Sequence, residues 1–119
     1  MNDLPLIDSA QMDRLNEWGG KELQTKMVGL FLTHAKERMD QIREGLSTSE
    51  PETAETGAHT LKSSAGNVGA QRVQHLAQEA ETLAEAGNLK DLQSLLPKLE
   101  KEFDEACIAL KQILEESAR

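Results

Sequence analysis

Aromatic side chains are almost missing: the 119 residues hold one Trp, two Phe and no Tyr. Sheets draw on aromatic and β-branched residues, so this scarcity, set against abundant Ala, Leu, Glu, Gln and Lys, argues for helices. Only one cysteine is present, Cys107. It excludes an internal disulfide and fits a reducing compartment. Basic residues are outnumbered, 13 Lys and Arg against 21 Asp and Glu, for a net charge of −8. That balance disfavours a nucleic-acid binder, which needs a basic face, and equally a polybasic membrane-surface domain. Long apolar runs are lacking too. The stretch Met27 to Leu32 is far too short to span a bilayer. The opening residues MNDLPLIDSAQ show no basic segment leading into an apolar one, so no signal peptide is expected. A cytoplasmic location is the simplest expectation.

With 38% hydrophobic and 29% charged residues, the chain is not disordered by composition, and its length suits one domain over 1–119. Asp8 reads as the N-cap of a short first helix over about 8–18, with Gln11 three residues on and Gly19-Gly20 as the break. Trp18 is expected to anchor that helix against the rest. Leu23, Met27, Leu30, Phe31, Ala35, Met39 and Ile42 step by threes and fours, which predicts a helix over about 21–44 closed by Gly45. Ser49-Glu50-Pro51-Glu52 has the form of a capping box opening a helix over about 50–66. Within it Ala54, Ala58, Leu61, Ala65 and Val68 form one stripe. Helices over about 70–86 and 89–116 follow, the last holding Pro97, which should kink it or start a new helix. No strand alternation or internal repeat stands out. The expected fold is all-α: an antiparallel four-helix bundle with a short additional N-terminal helix capping one end.

His59 lies off the apolar stripe of the third of these helices. At 100° per residue it shares a face with Glu55, Lys62, Ser63 and Gly66, so it should point outward. Packing does not call for Ser and Gly on an exposed helical face, where Glu, Lys or Ala are better helix formers. An accessible neutral imidazole is a good nucleophile, and the reference pKa near 6.5 leaves most of it neutral in the cytoplasm. A phosphoryl group on the ring would bring about two negative charges, which Lys62 is placed to offset. Glu55 is placed to orient the ring, while Ser63 and Gly66 keep the surface low enough for another protein to close over it.

The run His59-Thr60-Leu61-Lys62-Ser63-Ser64-Ala65-Gly66-Asn67-Val68-Gly69-Ala70 closely resembles the signature of histidine-containing phosphotransfer (HPt) domains of two-component phosphorelays. The usual form is His-x-Leu-Lys-Gly-Ser, then small residues and Gly-Ala; here Ser63 stands where Gly is common. Ile7 to Leu15, the stretch around Phe31, and Leu76 to Gly87 resemble the helices flanking the motif in that family. The resemblance implies a phosphorelay intermediate. His59 would accept a phosphoryl group from a receiver-domain phospho-aspartate, with Lys62 assisting, and pass it to a response-regulator aspartate. Ser63 and Gly66 would form the docking surface. It further implies a carrier rather than an enzyme, with no cofactor or metal of its own, since the receiver brings Mg²⁺; no Gly-x-x-x-x-Gly-Lys loop is present. The expected partners are receiver domains of a hybrid sensor histidine kinase and of a response regulator, met by a monomer that is either a stand-alone protein or a domain of a longer chain.

Two readings from other classes remain beside it. One is a non-catalytic helical adaptor that binds a receiver-like partner without phosphotransfer. The other is a metal-binding bundle, for which His75 and Glu79 supply only two ligands. His34 reads as a bundle-edge residue and Cys107 as a small core residue. The acidic residues Glu100, Glu102, Asp104, Glu105, Glu115 and Glu116 read as a solvated face.

Overall fold

A computed structural model describes residues 3–117. Four helices follow one another: α1 (Ser9–Ser47), α2 (Pro51–Asn67), α3 (Gln71–Glu85) and α4 (Leu89–Ser117). Each packs on its sequence neighbour, and α1 also packs on α4, which closes the bundle. The expected short N-terminal helix is the first limb of α1. Gly19 and Gly20 interrupt it, and Gly20 sits at φ 69°, a left-handed conformation that L side chains avoid. Asp8 caps this limb as expected, accepting from the Ala10 amide at 3.0 Å.

The periodic residues do form the core. Val28, Phe31, Ala35, Met39 and Ile42 of α1 meet Ala54, Ala58, Leu61 and Ala65 of α2, all buried. From the other side come Val73, Leu76, Ala77, Ala80 and Ala84 of α3, and Leu92, Leu99, Phe103, Ala106 and Leu110 of α4. Phe31 and Phe103 meet with ring centroids 6.0 Å apart. The buried faces of α2 and α3 are built largely from alanine. Small side chains let the two helix backbones approach closely, so a polar side chain on one can reach the other across the seam.

The first limb of α1 closes the end of the bundle where α2 turns into α3. The Asp8 amide donates to the Gly69 carbonyl at 2.7 Å, and Gln11 Nε2 donates to the Asn67 carbonyl at 3.0 Å. Arg72 Nε reaches the Leu4 carbonyl at 2.8 Å. Gly69 has φ 72°, and a side chain there would meet the Asp8 carbonyl oxygen.

Several local expectations are corrected. Trp18 does not anchor the first limb: it is 67% exposed, and Met12 and Leu15 bury themselves instead. Gly45 does not end the helix, which runs on to Ser47; it is buried where α1 crosses α2, against Ala54. The capping box does not form. Ser49 takes the left-handed position (φ 56°) while the Glu50 amide returns to the Gly45 carbonyl at 2.8 Å, the closing bond of a Schellman turn. Glu50 therefore occupies the N-cap of α2, without a side-chain cap bond, and Pro51 stands in the first turn.

No new helix starts at Pro97, which lies inside α4. Both Pro97 and Gln93, whose carbonyl loses its helical partner, are exposed, so water can serve that carbonyl. Nor are all the acids of α4 solvated. Glu102 is buried, 3.7 Å from Arg72 Nη1, and Glu100 accepts from Arg43 Nη2 at 2.7 Å. The latter hydrogen bond raises the Arg43 pKa. Cys107 is half-buried against the core, and burial pushes its thiol pKa up. Among the described residues no helix is long and apolar enough to cross a membrane.

Candidate functional site

Because Ala54, Ala58, Leu61 and Ala65 turn one face of α2 into the core, the opposite flank is left to solvent, and His59 stands on it. Its side chain is 62% exposed. The ring is nonetheless held. Nδ1 lies 2.6 Å from Oε2 of Glu81, a residue of α3. The other carboxylate oxygen, Oε1, accepts from Lys62 Nζ at 2.6 Å, and Lys62 also donates to Gln78 Oε1 at 3.0 Å. One carboxylate thus joins the histidine and the lysine that α2 presents one turn apart.

The Glu81 side chain is only 13% exposed. Partial burial pushes its pKa up, yet the hydrogen bond from Lys62, and after it the contact with His59, dominate and hold the carboxyl below its ordinary range. An ionised carboxylate is an acceptor only, so the ring nitrogen facing it must carry the proton. In the neutral ring Nδ1–H then donates to Glu81 and the lone pair lies on Nε2. Among the described residues, Nε2 of His59 has no hydrogen-bond partner.

Glu55 does not take the orienting role expected for it. It makes no hydrogen bond to the ring and lines an acidic cleft with Glu50, Glu52 and Glu85. Glu81 escaped the sequence reading because its place depends on how α2 and α3 align. A signal was present: Gln74, Gln78 and Glu81 follow one another at helical spacing beside the apolar stripe of α3.

Ser63 is exposed, and its hydroxyl folds back onto the His59 carbonyl at 3.3 Å, which keeps its profile low. Gly66 is only half-exposed, because Gln74 of α3 lies across it; a Cβ there would come 2.7 Å from Gln74 Nε2. His75 is bound the opposite way round from His59, with Nε2 3.0 Å from Glu79 Oε1. These two form only a surface pair, and among the described residues no group of three or more His, Cys, Asp or Glu is arranged to hold a metal. His34 is exposed beside Met27, Leu30 and Phe31.

Residues 26–117 match the Hpt domain family. The chain belongs to that family. An Hpt domain has a histidine phosphotransfer role in phosphorelays and interacts with receiver domains; such proteins carry the phosphoryl group without an ATP site of their own. The helical bundle of this Hpt domain is similar to the crystal structure of histidine-containing phosphotransfer protein B from Pseudomonas aeruginosa. The TM-score is 0.88 at 23% identity, over 94% of this chain and 96% of that one. No curated protein sequence matches this one significantly.

Proposed function

We propose that His59 is the residue that carries the phosphoryl group, taking it from the phospho-aspartate of one receiver domain and passing it to the aspartate of another. The observation that carries this reading is the ring's own arrangement: Nδ1 held by Glu81 and Nε2 open to solvent. In the accepting step the Nε2 lone pair attacks phosphorus, and the acyl P–O bond breaks with its electrons returning to the aspartate carboxylate. The incoming negative charge is offset by Lys62, whose flexible stem lets the ammonium swing from Glu81 toward Nε2. Ser63 and Gly66 shape the surface against which the receiver docks. Mg²⁺ is held by the receiver and polarises the phosphoryl group there; this chain needs no cofactor or metal of its own.

The donor on this reading is the receiver of a hybrid sensor histidine kinase, and the acceptor is that of a response regulator. The chain acts as one monomeric domain in the cytoplasm, as a carrier rather than an autonomous enzyme. A lone half-buried cysteine and the closed four-helix core support both placements.

Incubation with a phosphorylated receiver domain tests the proposal. Label should move to the wild-type chain and not to His59→Gln, which replaces an exposed side chain and leaves the fold intact. Transfer retained by that variant would overturn the assignment. A complex indifferent to His59, with no acid-labile phosphate, would be the mark of an adaptor instead.

A further inference from the structure

The contact between His59 and Glu81 has a second effect once the ring is phosphorylated. We infer that Glu81 keeps the proton on Nδ1 of phosphorylated His59, so that the ring departs as a neutral imidazole when the phosphoryl group moves on. The inference rests on His59 being the carrier.

With the phosphoryl group on Nε2, the ring has two forms. Protonated at Nδ1, it is an imidazolium; unprotonated, it is neutral. In the transfer step the Nε2–P bond breaks, its electron pair stays on Nε2, and phosphorus bonds to an oxygen of the acceptor. From the protonated form the ring that leaves is a neutral imidazole with its proton still on Nδ1. From the unprotonated form it would be an imidazolate, a far poorer leaving group. Which form is populated near neutral pH therefore decides whether the stored group is ready to move.

Glu81 Oε2 is 2.6 Å from Nδ1, and an opposite charge at that range favours the protonated ring. Its carboxyl is itself held ionised by Lys62 and His59. The same acceptor is also made ready by the phosphorylation. New negative charge at Nε2 offers the Lys62 ammonium a second partner, and whenever Lys62 leaves Oε1 the full carboxylate charge falls on Nδ1–H. The charged groups in contact with this ring are thus Glu81 from α3, and Lys62 through it. Among the described residues, Glu55 on α2 and Glu85 on α3 make no hydrogen bond or ion pair with it. The residue acts through His59 and is a positioning residue, distinct from one that only fixes the ring's angle, because a neutral amide would fix the angle equally well.

The full chain phosphorylated with potassium phosphoramidate provides the test, because ³¹P NMR of the phosphohistidine reports protonation at Nδ1 directly. Its midpoint should lie about one pH unit or more higher in the wild type than in Glu81→Gln. Above neutral pH the variant should lose its phosphoryl group to water up to about tenfold more slowly. Glu81→Asp, which keeps the charge but shortens its reach, should give an intermediate midpoint. Equal midpoints in wild type and Glu81→Gln would overturn the inference while leaving His59 as the carrier. Absence of any phosphoryl signal at His59 in the wild type would overturn the carrier reading and this inference with it.

Discussion

Gly45 is where α1 and α2 cross, and replacing it with alanine isolates what that crossing requires. A Cβ at this position would lie 2.5 Å from the Ala54 nitrogen, 2.8 Å from its Cβ and 2.9 Å from its Cα. Ordinary contact begins at 3.4 Å, so α2 would have to retreat by about 3.4 − 2.5 = 0.9 Å. Two of the three atoms are backbone and cannot rotate away. Overpacking of this kind costs about 1–3 kcal/mol, and an unyielding obstacle puts it at the upper end. Alanine returns roughly 1 kcal/mol in helix propensity. The net expectation is a loss of about 2 kcal/mol, equivalent to a fall in Tm of roughly 8 °C for a domain of this size. Urea unfolding followed by far-UV circular dichroism measures it. Gly29→Ala, in the same helix but with nothing within 4 Å of its Cβ, is the control and should gain up to about 1 kcal/mol. If Gly45→Ala proves as stable as the wild type while the control behaves as expected, the close approach of α1 and α2 is wrong.

Lys62→Ala should slow transfer from a phosphorylated receiver on the order of tenfold by removing the charge that meets the phosphoryl group. Its stability should fall by no more than about 1 kcal/mol, since the Lys62–Glu81 pair is partly exposed; unchanged kinetics would remove Lys62 from the mechanism. Ser63→Arg should raise the receiver concentration needed for transfer, while leaving phosphorylation by phosphoramidate and the unfolding midpoint unchanged within about 0.5 kcal/mol. Normal transfer by that variant would contradict a docking surface built on Ser63.

What was legible in the sequence was whatever a single helix determines. The Ala54/Ala58/Leu61/Ala65 stripe needs only the 3.6-residue period, and it alone turns His59 outward. Asp8 was readable as a cap because its bond to Ala10 is local. The misreadings share a cause. Gly45 looks like a terminator because a glycine that admits a neighbouring helix has the same letter as one that ends a helix. Ser49 resembles a cap, but the Schellman closure at Gly45 takes that residue for its left-handed turn. Trp18 reads as an anchor from its place before Gly19-Gly20, but it stays 67% exposed. Glu102 reads as one more surface acid until α3 brings Arg72 beside it. Glu81 is the same case at the site: its spacing with Gln74 and Gln78 puts it beside the apolar stripe of α3, but that spacing does not say that it meets His59 and Lys62. The packing of α3 against α2 selects it.

The pairing of His59 with Glu81 reaches across 22 positions of sequence and joins two separate helices. It therefore sets a constraint on inheritance as well as on chemistry. On the proposed relay, a neutral side chain at residue 81 would change how long the phosphoryl group resides on residue 59, and a one-residue insertion in the α2–α3 turn would rotate the two out of register. Among descendants of this chain, positions 59, 62 and 81 should change together, and the length of the turn between Asn67 and Gln71 should be held fixed.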